Sequence, residues 1–137
     1  MEELNNLNKE IIYPDMKDAP AKEIAFEIVR ILDKKKAGDI KMLHVEEKTV
    51  LTEYFVICTG TSNTQIRSLT GDVEEEMAKR NVRYCAEDGF DGGYWIVTDY
   101  GPVILHIFNR ETREFYNLEK LWSDSSAVDL TGIITED

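Results

Sequence analysis

The turn at residues 60–63 (GTSN) is the first place where residue types and spacing could do chemistry. It separates an apolar run from an amphipathic stretch, and backbone amides at the start of a helix attract anions such as phosphate. The segment lacks the lysine of a phosphate-binding loop and the further glycines of a dinucleotide fingerprint. A nucleotidyltransferase would also need two carboxylates one residue apart on a nearby strand to hold magnesium, and the strands predicted downstream carry no such pair. We therefore interpret Thr61 or Ser62 as a helix cap.

The histidines and cysteines show no recognised metal or nucleophile pattern. His44 and His106 each lie in an apolar run, as does Cys58, and Cys85 stands alone. Paired spacing such as C-x-x-C, which is typical of zinc sites, does not occur, and neither does the Gly-x-Ser-x-Gly turn of serine hydrolases. We therefore expect packed histidines with hydrogen-bonded rings and free thiols, with no catalytic residue, no metal and no cofactor.

The segment at residues 87–100 (EDGFDGGYWIVTDY) is the best candidate for a functional surface. It combines four acidic with four aromatic side chains and contains no basic residue. Tryptophan and tyrosine are favoured at binding hot spots, and flanking acids suit a basic partner. Strand alternation places Trp95, Val97 and Asp99 on one face. The pattern does not fix which face serves the core, so both core packing and exposed anchoring stay open for Trp95.

Hydrophobic periodicity predicts the elements that must position these residues. The expected helices lie at residues 21–36, from the turn at 60–63 to about residue 80, and at 110–118, the last with Phe115 and Tyr116 packing back onto the domain. The expected strands lie at residues 39–45, 54–59, 82–87, 94–99 and 103–108. The strand at 54–59 is apolar throughout, as a strand covered on both faces would be, and the short connection at 100–102 predicts an antiparallel hairpin. Together they predict a single α/β domain with a mixed β-sheet of about five strands covered by helices.

Charge and composition limit the class of partner and the domain organisation. The formal net charge is −11; residues 1–20 hold five acidic and two basic side chains, and residues 124–137 hold four acidic and no basic ones. We expect a loosely ordered extension at 1–20, one domain at 21–123 and an acidic tail at 124–137. An acidic domain is poorly suited to binding nucleic acid by neutralising phosphates. No signal peptide and no membrane-spanning run is recognisable, which favours the cytosol.

Several segments in fixed order resemble the ribosomal silencing factor family, also called RsfS or Iojap, from about residue 21 to residue 130. They are KAGDI at 36–40, YFVICTGTSN at 54–63, WIV at 95–97, DYG at 99–101, VILHIF at 103–108, Arg113 with Phe115 and Tyr116, and LEKLW at 118–122. The resemblance implies a fold similar to nucleotidyltransferases without their catalytic acids.

The resemblance also implies a function and a contact surface. Family members bind the large ribosomal subunit through its universal protein fourteen, on the face that meets the small subunit, and block subunit joining when nutrients are scarce. The family's contact surface includes the positions of Trp95 and Tyr100. From charge we add Asp99 and Glu87, which would pair with basic side chains and leave little direct contact with rRNA.

Three alternatives stay open from the sequence. The protein could serve maturation of the large subunit, or it could be a nucleotide-binding enzyme that uses the turn at residues 60–63. An exposed aromatic patch could also pair with a second copy, which would give a homodimer when the partner is absent.

Overall fold

The computed structural model of the protein describes residues 11–46, 49, 51–122 and 126–135. Its helices are α1 (Ala21–Lys34), α2 (Asn63–Lys79), α3 (Arg110–Tyr116) and α4 (Leu118–Leu121). Its strands are β1 (Gly38–His44), β2 (Tyr54–Thr59), β3 (Ala86–Asp88), β4 (Trp95–Asp99), β5 (Val103–Phe108) and β6 (Ser126–Ala127). In the part of the chain that the structure describes, no helix has the length and apolar character needed to cross a membrane.

The two long helices begin and end where local chemistry dictates. In α1, Glu23 lies in the first turn and Lys34 in the last, so both charges complement the helix dipole. Helix α2 is capped by Ser62, whose Oγ accepts a hydrogen bond from the Gln65 amide at 3.0 Å. The cap predicted in the turn at residues 60–63 is therefore confirmed for Ser62.

The six strands form one mixed sheet in the order β3-β4-β5-β2-β1-β6. Strands β2 and β5 are parallel, and every other neighbouring pair is antiparallel. All six residues of β2 are buried, as expected for a central strand covered on both faces. The β4–β5 hairpin places Trp95 opposite Phe108 and Val97 opposite His106. The mixed sheet and the hairpin confirm the fold class predicted from the sequence.

The sheet has two unlike faces. On one face, which we call the helix-covered face, α1 and α2 pack over an almost entirely aliphatic core that includes Ile28, Leu32, Val56, Ile66, Leu105 and Ile107. The opposite face, which we call the aromatic face, carries Phe55, Trp95, His106 and Phe108 and is only partly covered by α3 and α4. Because strand side chains alternate between faces, each strand contributes to both.

Some sequence-based limits of the elements are wrong. Strand β3 covers only Ala86–Asp88, since Val82 packs in the core instead of extending the strand. The helix predicted at 110–118 is two helices, because Asn117 adopts a left-handed conformation with φ 47°. Asparagine tolerates this conformation better than most residues, and it ends α3 while capping α4.

The ends of the described chain are packed more closely than the sequence suggested. Strand β6 pairs with β1, and Leu130 is buried in the core. The segment 126–135 is thus part of the domain, whereas we expected an acidic tail outside it. In the predicted N-terminal extension, residues 1–10 lie outside the described residues. Met16 is buried, and its amide donates to the Arg80 carbonyl at 2.8 Å, so the second half of that extension is tied down.

Candidate partner-binding surface

Trp95 lies in β4 on the aromatic face, partly buried and partly exposed. Its ring stacks on Phe108 with centroids 4.8 Å apart and contacts Tyr116 of α3, also at 4.8 Å. Its indole Nε1 donates a hydrogen bond to His106 Nδ1 at 3.2 Å. The ring packs on the sheet and still presents exposed area, so the side chain is neither fully buried nor fully exposed, and anchoring of a partner stays a prediction.

His106 lies beneath this surface in β5 and is 7% exposed. Its ring contacts Phe55 edge-on, with centroids 4.9 Å apart. Burial lowers the pKa of His106 to about 4, because a charged imidazole loses its hydration in this position. The expectation of a packed histidine with a hydrogen-bonded ring is confirmed here.

Exposed apolar side chains of α3 and α4 extend the surface beyond Trp95. Phe115 is 80% exposed, Leu121 is 73% exposed and Tyr116 is 51% exposed. The expectation that Phe115 packs back onto the domain is wrong, since Arg113 is the buried residue of α3. Tyr116 does pack, against Trp95. The sequence signal for Phe115 and Leu121 is weak, because helices of seven and four residues are too short to show a hydrophobic stripe.

Arg113 holds α3 and α4 against the sheet. It is buried, donates to Thr59 Oγ1 and to the Asp39 carbonyl at 2.7 Å each, and pairs with Glu119 at 3.3 Å. A buried guanidinium has to be paired and hydrogen-bonded to be tolerated. These bonds join the helices that bear Phe115 and Leu121 to the ends of β1 and β2. Both side chains border one groove with Tyr116, which contacts Trp95.

Tyr100 does not belong to this surface. It is 4% exposed and packs in the core of the helix-covered face, so the expectation of an exposed side chain is wrong. The physical reason is strand alternation: Ile96, Thr98 and Tyr100 all point away from the face of Trp95 and are buried.

The two predicted acidic residues lie on different faces. Asp99 is on the face of Trp95, at the end of β4, where its Oδ1 accepts from the Gly101 amide at 2.7 Å and shapes the hairpin turn. Glu87 is exposed and lies directly opposite Thr98 in the antiparallel β3–β4 pair. Its side chain therefore points to the helix-covered side of the sheet, away from Trp95. There it lies close to Glu74 of α2; burial of Glu74, together with its hydrogen bond to Glu87, raises the pKa of Glu74 to about 8. The structure therefore keeps Trp95 and Asp99 together and separates Tyr100 and Glu87 from them.

The turn at residues 60–63 borders a second, polar groove. This groove of about 460 Å³ lies at the ends of the parallel strands β2 and β5, and its lining includes Lys36, Thr61, Arg110 and the single carboxylate of Glu111. The amide and the hydroxyl of Thr61 both donate to Gln65 Oε1. Among the described residues lining the groove, the carboxylate pair required by a nucleotidyltransferase is not found.

The thiols and other metal-ligating side chains lie apart. Cys58 is a buried free thiol, as predicted, and burial raises its pKa to about 12, while Cys85 is exposed. Within the described ranges, no three histidine, cysteine or carboxylate side chains come together in a group that could hold a metal ion.

A mixed sheet with helices sealing one face and a half-open aromatic patch on the other defines an α/β domain with one closed and one partly exposed face. Residues 18–137 match the model of the family described as ribosomal silencing factor during starvation. The chain therefore belongs to the ribosomal silencing factor (RsfS) family.

Two relatives and one solved structure show how far the similarity extends. The chain is 35% identical to the ribosomal silencing factor RsfS of Bacillus subtilis over 98 residues, which is 72% of this chain and 83% of that protein. It is 32% identical to the mouse mitochondrial assembly of ribosomal large subunit protein 1, over 70% of this chain and 43% of that longer protein. A crystal structure of a Chromobacterium violaceum protein superposes with a TM-score of 0.74 at 28% identity, covering 76% of this chain and 87% of that one.

Proposed function

We propose that this protein binds the large ribosomal subunit through its aromatic face and thereby prevents the small subunit from joining. The observation that carries the proposal is Trp95, a half-buried indole that contacts Phe108, Tyr116 and His106. Its neighbour Tyr116 borders one groove with the exposed Phe115 and Leu121. Membership of the silencing factor family supports the large subunit as the target. The role is steric and non-catalytic, and it is exerted in the cytosol when nutrients are scarce.

The surface has the composition of an interaction hot spot. A tryptophan already fixed in one orientation loses little conformational entropy on binding, and its large area supplies much of the favourable free energy. Phe115 and Leu121 add apolar area that water covers in the free protein. Together they form a central apolar patch of the kind that a partner buries.

The chemistry favours a basic ribosomal protein over rRNA as the direct partner. The net charge of −11 opposes an approach to phosphates, while Asp99, on the same face as Trp95, can pair with a lysine or an arginine. Universal protein fourteen, the partner that the family resemblance implies, is the occupant that we propose. Tyr100 and Glu87 are not included in the contact surface.

Steric exclusion follows from the place of binding. A folded domain of 15.8 kDa seated on the face that meets the small subunit occupies volume that the small subunit requires for joining. No chemical step is needed, and release restores an active subunit.

Replacing Trp95 by Glu tests the assignment. The Trp95→Glu variant is expected to lose co-sedimentation with purified large subunits, because the charge would have to be buried in an apolar contact. Ile12→Glu is the control, since Ile12 is 88% exposed and the adjacent Tyr13 lies over Lys79 and Arg80 at the end of α2; it should bind like the unmodified protein. A folded Trp95→Glu variant that co-sediments normally would show that the surface is wrongly assigned.

A second candidate function is assistance in building the large subunit, favoured by the name of the mouse relative, which refers to its assembly. Because the same surface would serve silencing and assembly, the two roles are distinguished by their effect on subunits and not by the binding site. Silencing predicts that the purified protein inhibits joining of mature subunits in a sucrose gradient. Assembly predicts that depletion in rich medium leaves immature large subunits, with no effect of the protein on mature ones.

A further inference from the structure

His106 stands at the centre of the aromatic face without an assigned role. It lies on β5 diagonally across from Trp95, whose direct cross-strand neighbour is Phe108. Its ring is nearly parallel to that of Phe108, at 12° and 6.0 Å between centroids, and meets Phe55 edge-on. These aromatic neighbours and the surrounding sheet hold the imidazole in one orientation.

The hydrogen bond from Trp95 defines the protonation state of this histidine. Indole nitrogen is a donor only, so the nitrogen that receives it must be an unprotonated acceptor. His106 Nδ1 is that acceptor, at 3.2 Å. The ring is therefore the neutral tautomer that carries its proton on Nε2, and burial favours the neutral form.

A histidine is otherwise a poor choice for this position. Its Nε2 is buried and has no hydrogen-bond partner among the described residues, and a buried polar group without a partner is unfavourable. A phenylalanine or leucine would fill the same space between aromatic rings without that penalty. The property that histidine adds here is an acceptor directed at the indole of Trp95.

We propose that His106 is a positioning residue for partner binding, which accepts the indole N–H of Trp95 and fixes the orientation in which this side chain meets the ribosomal partner. The effect on partner binding rests on the proposed function, whereas the Trp95–His106 hydrogen bond does not. Rotation of the indole away from Phe108 and Tyr116 would break the hydrogen bond and leave neither ring nitrogen of His106 paired with a described protein group. The bond therefore keeps the free protein in the conformation that binds.

The first test uses the unmodified protein labelled with ¹⁵N. The protein has two tryptophans, so a Trp122→Phe variant assigns the indole signal of Trp95. We expect slow exchange of the Trp95 indole proton with solvent and the Nε2–H tautomer for His106. A proton on Nδ1, or an indole proton that exchanges as fast as in free tryptophan, overturns the inference.

The second test compares His106→Asn with His106→Leu. The Asn side chain can place an amide oxygen near the position of Nδ1, whereas Leu fills similar space without an acceptor. We expect His106→Leu to bind large subunits about three- to tenfold more weakly, the range of one net hydrogen bond, and His106→Asn to keep most of the affinity. In a Trp95→Phe background, which lacks the indole N–H, the difference between the two substitutions should vanish.

The outcomes separate this inference from the proposed function. Equal affinities of His106→Asn and His106→Leu, or a difference that persists with Trp95→Phe, would refute a positioning role. If His106→Leu does not fold, the tautomer and exchange measurements on the unmodified protein still decide the matter. Normal binding by Trp95→Glu would instead refute the proposed surface while the Trp95–His106 hydrogen bond remained measurable.

Discussion

The two faces of the sheet are built from the same strands but from different chemistry. On the helix-covered face, aliphatic side chains are sealed beneath α1 and α2, and most are fully buried. On the aromatic face, rings and one imidazole stack beside exposed apolar residues of α3 and α4. Strand β5 makes the contrast directly, since Leu105 and Ile107 serve the first face and His106 and Phe108 the second.

If the aromatic face is the contact surface, as proposed, the difference shows how one small domain assigns stability to one face and recognition to the other. Aliphatic side chains pack densely in a closed layer and stabilise the fold through buried area. Aromatic rings with polar handles can be half exposed and still hold one orientation, which suits a contact that must form quickly and specifically. Substitutions on the two faces should therefore affect two different measurements.

The largest expected effect comes from Leu105→Ala on the helix-covered face. Leu105 is fully buried, so truncation should lower the free energy of unfolding by about 2–5 kcal/mol. Urea denaturation followed by circular dichroism measures this loss. The folded fraction should bind large subunits with unchanged affinity, because no residue of the proposed contact surface is changed. Weaker binding by fully folded protein would show that the helix-covered face also contributes to binding.

Truncation of Phe115 and Leu121 to Ala should weaken binding and leave the free energy of unfolding almost unchanged, the reverse of Leu105→Ala. Both side chains are largely exposed, so the free energy of unfolding should change by less than about 0.5 kcal/mol. If the partner covers them, the double variant should bind about tenfold more weakly or worse, from the lost apolar burial. Sedimentation at two salt concentrations separates this apolar loss from the salt-dependent contribution of Asp99. Unchanged binding would confine the contact surface to Trp95 and its immediate neighbours.

The fold was predictable from the sequence wherever periodicity was long enough to read. Apolar runs and turn residues predict strand β2, helix α2 and the β4–β5 hairpin. Their predicted limits lie within a few residues of those in the structure. Strand β6 was not predictable, because two residues, Ser126–Ala127, show no period and depend on an edge that β1 provides. The left-handed Asn117 that separates α3 from α4 was not predicted either, because a single residue that ends one helix and caps the next leaves no periodic signal.

The candidate site was predictable only in part, for a specific geometric reason. Alternation along β4 correctly groups Trp95 with Asp99, and the same alternation carried one residue further puts Tyr100 on the other face. The contact of Trp95 with His106 required the register of the hairpin, which places Val97 opposite His106. That register is set by the turn at residues 100–103, where the Tyr100 amide donates to the Val103 carbonyl at 2.9 Å, and such detail is not written in the apolar pattern.

The smallest predicted effect concerns pH, and it has opposite signs on the two faces. The pKa of Glu74, beside Glu87 on the helix-covered face, is raised from 4.5 to about 8. The folded state therefore holds more protons than the unfolded state in this window, and stability falls as pH rises from about 4.5 to about 8. The pKa of His106 is lowered from 6.5 to about 4. Its contribution to stability is present above pH 6.5 and is lost as pH falls towards 4.

Between pH 4.5 and 6.5 the two titrations oppose each other, so the unmodified protein should show a shallow dependence there and a decline between pH 6.5 and 8. Glu74→Gln should remove the decline above pH 6.5, and His106→Asn should make the protein lose stability steadily across the whole range from 4.5 to 8.

Glu75→Gln is the matched control on the same helix, since its side chain is 71% exposed and should leave the profile unchanged. Urea midpoints at half-unit pH steps measure these slopes. The effect is modest because Glu74 is only partly shielded from solvent, which screens its interaction with Glu87. If stability still declined above pH 6.5 in Glu74→Gln, a group other than Glu74 would have to titrate there. The opposite pH dependence of the two faces could then not be assigned to the Glu74–Glu87 pair.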